Sequence, residues 1–277
     1  MLTTGNTICM RLQGGLGNQL FQYAAGRAAS IRLGCPLVLD TTLTEDELKR
    51  GYVLQFFQIT ALAGVVDVKN YSMKYEESSF FYNTQFNSYG LGTCFTGYFQ
   101  SELYFRDVAL VIRNDFQLIN QPAYLVEQMS FIDSYELPVS IHIRRGDYFS
   151  NKHTLSIHGI CEAGYYKKSI DLICKMLPAE PTFFVFSDEP ALAREMLEGE
   201  DIKRKFVFMP VGLAHEDIML MAKCRHHILA NSSYSWWAAW LNPRSDKIIM
   251  APRRWFTAET LRTINTTDLY MENIIIL

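Results

Sequence analysis

Residues 139–277 read as a doubly wound, parallel α/β sheet, and three observations lead there. Short β-branched and aromatic runs recur at 139–143, 182–187, 205–209, 226–230 and 247–250. Helical stretches separate them at 163–177, 190–198, 215–224 and 233–242. Strands that alternate with helices of this length cannot pair as hairpins, so they build parallel crossover units. The first half lacks that regularity. The change predicts two lobes, 1–135 and 136–277, joined by the proline-terminated stretch 134–138.

In the first lobe, 7–12 is a short apolar strand. Gly14, Gly15 and Gly17 make a turn, and a helix over 18–33 buries Leu20, Phe21, Ala24, Ala25 and Ala28. Strand, glycine turn and helix together let a backbone approach a phosphate and aim helix N-terminal amides at it. The alternative is an ordinary tight turn. The spacing is not G-x-G-x-x-G, so it is no nicotinamide fingerprint. A second strand covers 35–39 and ends at Asp40. Residues 41–95 read as irregular and aromatic, 95–99 as a strand, and 101–112 as a helix on Leu103, Val108, Leu110 and Val111. Pro122 opens a further short helix.

Bulk properties exclude several classes. A net charge of -3 and no basic stripe argue against a nucleic-acid partner. The six cysteines include no C-x-x-C pair and have apolar neighbours, which fits reduced, buried thiols in a cytosolic protein. No run approaches the ~18 apolar residues of a transmembrane segment, and the N-terminal residues lack the charged and apolar regions of a signal peptide.

The chemistry concentrates in V-S-I-H-I-R-R-G-D-Y, residues 139–148. A buried strand runs straight into two adjacent arginines that cannot shed their charge, and the carboxyl end of a parallel strand is where such sheets bind ligands. A guanidinium fork matches a phosphate with two charge-assisted hydrogen bonds. Alternation puts His142 and Arg144 on one face and Arg145 on the other, so the arginines do different jobs; a structural ion pair of Arg145 with Asp147 is the competing reading. Two more strand ends, Ser187-Asp188 and Asn231-Ser232-Ser233, open on the same edge. Ser232 and Ser233 are equally placed to cap the helix that follows. Trp236, Trp237 and Trp240 read as core, and His226 and His227 as structural. His153 and His158 lie in a polar loop.

Three stretches carry a family resemblance. H-I-R-R-G-D resembles the H-x-R-R-x-D signature of GDP-fucose-dependent fucosyltransferases. With G-G-L-G-N-Q-L-F-Q-Y-A-A from Gly14 and A-N-S-S-Y-S-W-W-A-A-W-L from Ala230, in this order, the chain is similar to bacterial α-1,2-fucosyltransferases of glycosyltransferase family 11 over about residues 7–250. The family segment G-Y-F-Q-S-E recurs at 97–102.

The resemblance implies a two-lobed GT-B architecture with a Rossmann-like second lobe. Residues 1–135 would form the acceptor side and 136–277 would bind GDP-fucose. It implies inverting transfer of L-fucose from GDP-β-L-fucose to the 2-hydroxyl of a galactose-terminated oligosaccharide or glycolipid, as in surface-glycan or O-antigen synthesis. Arg144 would hold the β-phosphate and Asn18 would orient the donor, these two being the catalytic residues. Gly15, Gly17, Gln19, His142, Arg145, Asp147, Ser187, Asp188, Asn231, Ser232, Ser233, Tyr234 and Ser235 would complete donor binding. No cofactor and no metal are expected, since the chain holds no D-x-D triplet. The anticipated location is cytoplasmic, with peripheral contact on the inner membrane face left open. Asp40, Glu76 and Glu102 are carboxylates near plausible loop positions, and nothing ranks one of them as a base. The same fold forming another linkage, or binding a nucleotide sugar without turnover, are the alternatives.

Overall fold

The computed structural model describes residues 3–44, 51–145, 156, 157, 159–198 and 204–277. The described residues form an α/β protein with two parallel sheets, one in each of two compact units. The first unit comprises Met1–Asn120 and Ile264–Met271; the second comprises Gln121–Thr263 and Glu272–Leu277.

The first unit is built on β1 (Ile8–Gln13), β2 (Leu37–Leu43), β3 (Leu62–Gly64), β4 (Met73–Glu76) and β5 (Thr93–Thr96), all parallel, in the order β3-β2-β1-β5-β4. Helix α1 (Leu16–Leu33) follows β1 and packs back on it. Gly26 permits that approach, because a Cβ there would sit 3.0 Å from Leu37 and 3.2 Å from the Met10 Cβ. Gly34 ends the helix in the left-handed region at φ 62 and returns its N–H to Ile31 and Ser30 carbonyls.

Two expectations need correction here. The stretch 41–95 carries β3 and β4. They were illegible because strands of three and four residues are too short to show an alternation, and most of their residues are not buried. Its Tyr75, Phe86 and Phe95 form a core with Phe99 and Tyr104, at ring separations of 4.8–6.1 Å. The helix expected over 101–112 is two 3-10 turns, Glu102–Tyr104 and Arg106–Val108, followed by α2 (Ala109–Asp115). Phe105 breaks it: its ring is fully buried and its backbone (φ -139, ψ 11) is not helical.

The second unit begins with α3 (Ala123–Asp133), entered from Pro122. Then β6 (Pro138–Ile143), α4 (Ala163–Met176), β7 (Thr182–Ser187), α5 (Pro190–Glu198), β8 (Lys205–Phe208), α6 (Ala214–Lys223), β9 (His226–Ile228), α7 (Ser233–Leu241) and β10 (Ile249–Ala251) follow the expected alternation closely. A further strand, β11 (Ile274–Ile276), completes the parallel order β11-β10-β9-β6-β7-β8. On one face Val139, Ile141 and Ile143 of β6 pack with Tyr166, Ile170 and Ile173 of α4 and with Ala193 and Leu197 of α5. Within α7, Trp236, Trp237 and Trp240 are buried together, two of the ring pairs 5.1 Å apart, which matches their reading as core.

The units divide at Asn120/Gln121, earlier than the expected 135/136. Packing decides this: α3 lies against α6, and Phe131 of α3 meets Phe184 of β7 edge to face. Residues 264–271 return to the first unit, where Asp268 accepts from the Tyr82 N–H at 2.9 Å.

Candidate functional site

In the second unit the chain leaves β6 in one direction through β7 and β8, then continues on the other side of β6 through β9, β10 and β11. The carboxyl ends of β6 and β9 therefore flank the topological switch point, where open parallel sheets bind ligands.

At the end of β6, His142 is 5% exposed. Its ring lies 5.4 Å from that of Tyr234, and its Nδ1 has no hydrogen-bond partner among the described residues. Burial, and then the Arg144 charge, hold its pKa down to about 3, so the imidazole is neutral. The Tyr166 hydroxyl donates to the His142 carbonyl at 3.0 Å and fixes the strand end. Arg144 is partly exposed, and its charge lowers the pKa of both His142 and Tyr234. Arg145 is buried, its Nη2 2.9 Å from the Met196 Sδ of α5. Its backbone N–H donates to Asp188 Oδ1 at 2.9 Å, joining the ends of β6 and β7. Arg145 is thus on the face of β6 that α5 covers. Asp147, His153 and His158 lie outside the described residues.

The segment after β9 is largely turned inward. Asn231 is buried, donates to the Trp255 carbonyl at 3.2 Å and accepts from the Cys161 thiol at 3.4 Å. Ser232 caps α7 through the Tyr234 N–H at 3.3 Å, and the Ser235 hydroxyl donates to the Ser232 carbonyl at 3.3 Å. Ser233 opens α7 and is partly exposed, while the Tyr234 hydroxyl donates to the Ala214 carbonyl at 2.7 Å. Ser187 accepts from the Glu189 N–H at 3.0 Å. These contacts shape the edge of the sheet, and the helix N-terminus presents its amides there. His226 and His227 are both buried; His227 is held between Ser140 and Asn242, each at 2.8 Å.

One charged residue of this region escaped sequence reasoning. Asp217 sits in the first turn of α6, accepts from the Gly212 N–H at 3.2 Å and is pushed up to about 6, chiefly by burial. Its charge reaches Tyr234. Gly212 leaves the room for it, since a Cβ there would sit 2.5 Å from Asp217 Oδ1. The only sequence signal was an acidic residue opening a helix after a strand end.

The first unit has its own polar cluster at the carboxyl end of β1. Gly15 is the N-cap residue of α1, and Gly17 is buried in its first turn. Asn18 Oδ1 accepts from Gln100 Nε2 at 2.9 Å. Gly14, at φ +75, clears the other side of Asn18, because a Cβ would lie 2.6 Å from its Nδ2. Gln19 is fully buried, and its amide donates to the carbonyls of Gly14 and Gly51 and accepts from the Val53 N–H. It braces the loop. Of the three carboxylates considered, Asp40 is buried against Arg11 at 3.0 Å, Glu102 pairs with Arg106, and Glu76 is exposed.

The sequence profile "Glycosyl transferase family 11" matches residues 6–275. The chain belongs to glycosyltransferase family 11. Curated relatives include an alpha-1,2-colitosyltransferase of Escherichia coli, 32% identical over 93% of this chain and 95% of that protein. The O-antigen biosynthesis glycosyltransferase WbnK of Escherichia coli is 31% identical over 88% and 93%. A galactoside alpha-(1,2)-fucosyltransferase 2 of Oryctolagus cuniculus is 28% identical, over 37% of this chain and 29% of its own. Among solved structures, the fucosyltransferase NodZ from Bradyrhizobium superposes with a TM-score of 0.53 at 14% identity, covering 90% of this chain and 95% of that one. POFUT1 in complex with GDP gives 0.52 at 13% identity, covering 90% and 99%. The fold of this glycosyltransferase is therefore that of GT-B-like fucosyltransferases. No helix among the described residues is long and apolar enough to cross a membrane.

Proposed function

We propose that this family 11 enzyme transfers L-fucose from GDP-β-L-fucose to the 2-hydroxyl of a terminal galactoside, with inversion, in the synthesis of a surface glycan. The observation that carries the reading is the switch-point cluster of Arg144 beside a buried, neutral His142 whose Nδ1 has no partner among the described residues. A buried polar atom without a partner is rare and fits a ligand edge. The linkage is supported by the names of the relatives, two of which specify α-1,2 transfer.

On this reading Arg144 neutralises the charge that develops on the β-phosphate as GDP leaves, the largest electrostatic demand of the reaction. His142 and Asp147 serve the nucleoside end. Asn18 takes part in orienting the donor, and Arg145 and Asp188 hold the strand end in place. No D-x-D triplet is present to hold a metal on the diphosphate, so transfer proceeds in EDTA. Loss of turnover on chelation, restored by Mn²⁺, would count against the arginine account.

The test is incubation with GDP-fucose and a panel of β-galactosides, with the product linkage read by NMR. An α-1,2-linked fucoside is expected. GDP-fucose binding without turnover, or another linkage, overturns it. The colitosyltransferase relative favours one second reading, transfer of colitose with the same linkage. Competition between the two nucleotide-activated sugars separates them.

A further inference from the structure

Resting on the reading that Asn18 serves the donor, we infer that Glu77 and Gln100 are positioning residues which set the orientation of the Asn18 amide. Glu77 follows β4, and no sequence signal marked it. Its Oε2 accepts two consecutive backbone N–H groups, Tyr98 at 2.7 Å and Phe99 at 2.8 Å, and its Oε1 accepts from the Tyr104 hydroxyl at 3.3 Å. These bonds hold a turn that is unfavourable by itself. Phe99 is a fully buried non-glycine residue at φ 53, in the left-handed region that a bulky side chain rarely occupies. Gly97 fits only because it lacks a Cβ, which would sit 2.4 Å from the Glu77 Cβ. A residue held in strained backbone persists where its surroundings over-determine it, and such positions gather at functional sites.

The turn delivers Gln100, next after Phe99. Gln100 is buried and donates to Asn18 Oδ1 at 2.9 Å. An amide nitrogen donating to an amide oxygen fixes which end of Asn18 points where, and Gly14 clears the Nδ2 end. The turn is also tied to α1 itself, since Gln22 Nε2 donates to the Gly97 carbonyl at 3.0 Å. The run from Glu77 through the Gly97–Gln100 turn to Asn18 is therefore continuous. Its consequence is that the Asn18 amide oxygen is held by Gln100 and its Nδ2 is turned to the opposite side, so Gln100 decides which polarity Asn18 shows there.

The carboxylate of Glu77 also invites reading as a general base, and the two roles separate cleanly. Glutamine at 77 keeps an oxygen for both amides and an NH₂ group for the Tyr104 hydroxyl, so a positioning role survives it; a base does not. The experiment measures kcat, KM for GDP-fucose and thermal melting for Asn18→Ala, Gln100→Ala, Gln100→Glu, Glu77→Gln and the exposed control Glu76→Gln. Gln100→Ala should lower kcat on the order of tenfold to a hundredfold, as misplacement of an orienting group does. Gln100→Glu should match Asn18→Ala, because a carboxylate accepts only and turns the Asn18 amide round. Glu77→Gln should keep more than a third of wild-type kcat, and Glu76→Gln should be unchanged. A Glu77→Gln enzyme that is folded but inactive overturns the positioning role in favour of a base. A folded Gln100→Glu enzyme with normal kcat overturns the link to Asn18. If Asn18→Ala itself turns over normally, the reading beneath the inference has failed, which is a different result from either.

Discussion

The two units use the same element, a parallel sheet with a polar carboxyl edge, and weight that edge differently. In the first unit the cluster beyond β1 is built mainly on neutral amides: Asn18, Gln19, Gln22 and Gln100 bond to one another or to backbone, with the Glu77 carboxylate holding the neighbouring turn. In the second it carries ionisable groups, Arg144 acting on a neutral His142, with Arg145, Asp188 and Asp217 at the neighbouring strand and helix ends. Amides hold a shape independently of pH and salt. Charges generate a field that can stabilise a leaving diphosphate, but at a desolvation cost that the surroundings must offset.

The comparison breaks first at Arg144. Replacing it by alanine should remove about 2.7–4 kcal/mol of transition-state stabilisation, by analogy with an oxyanion donor, a loss of roughly a hundred to a thousandfold in kcat. Arg144→Lys should recover little, because a point charge does not reproduce the fork. Arg145→Ala should act through folding, visible as a lowered melting temperature. Kinetics and melting of the variants side by side decide it, and an inactive but normally stable Arg145→Ala enzyme means the faces are reversed.

Gln19 tests the neutral edge. Its loss leaves the Gly14 and Gly51 carbonyls and the Val53 N–H without their buried partner, so Gln19→Ala should cost about 3 kcal/mol of stability in chemical denaturation. A variant with unchanged midpoint but altered donor KM would move Gln19 from brace to ligand contact.

The contrast should also appear in acid. All six histidines lie between positions 142 and 227, and none is in the first unit. Burial lowers His142 and His227 to about 3 and His226 to about 4. These groups are depressed below their unfolded value of about 6.5, so the unfolded chain takes up protons that the native one refuses. Stability is then full above pH 6.5 and falls as pH drops towards 4, by about 2 kcal/mol apiece at pH 5 for the two fully buried rings. Hydrogen exchange at pH 7 and pH 5 should show protection lost first in the second unit. Equal loss in residues 8–96 would remove histidine burial as the cause.

The smallest effect sits at Asp217, whose carboxyl is raised to about 6. A carboxyl raised in the folded state lowers stability as pH climbs through that range, since the native fold resists the charge. Asp217→Asn should therefore raise the melting temperature slightly at pH 7.5, and the gain should shrink towards pH 4. A melting temperature that falls at pH 7.5 would show the charge to be favourable where it stands.

Most of the second unit was legible in the chain because each signal was local. The β6 to β10 alternation rests on apolar runs set between helical stretches of regular length; alternation puts Arg144 and Arg145 on opposite faces, and the family signature says which face meets the nucleotide. The first unit resisted because β3 and β4 are short and mostly exposed, and because Phe105 interrupts a helix through burial that no local pattern records.

By itself, the sequence determined the class of fold, the family through three ordered stretches, and the strand end that carries the arginines, because all of these are written in residues near one another. Only the tertiary structure decided which polar residues are spent inside the protein. The amides of Gln19 and Asn231 hold backbone carbonyls inside the protein, while Glu77 and Asp217 carried no motif and hold turns at the sheet edges. The physical reason is that a hydrogen bond between groups 82 residues apart, such as Gln100 to Asn18, depends on packing of whole elements and leaves no trace in local spacing.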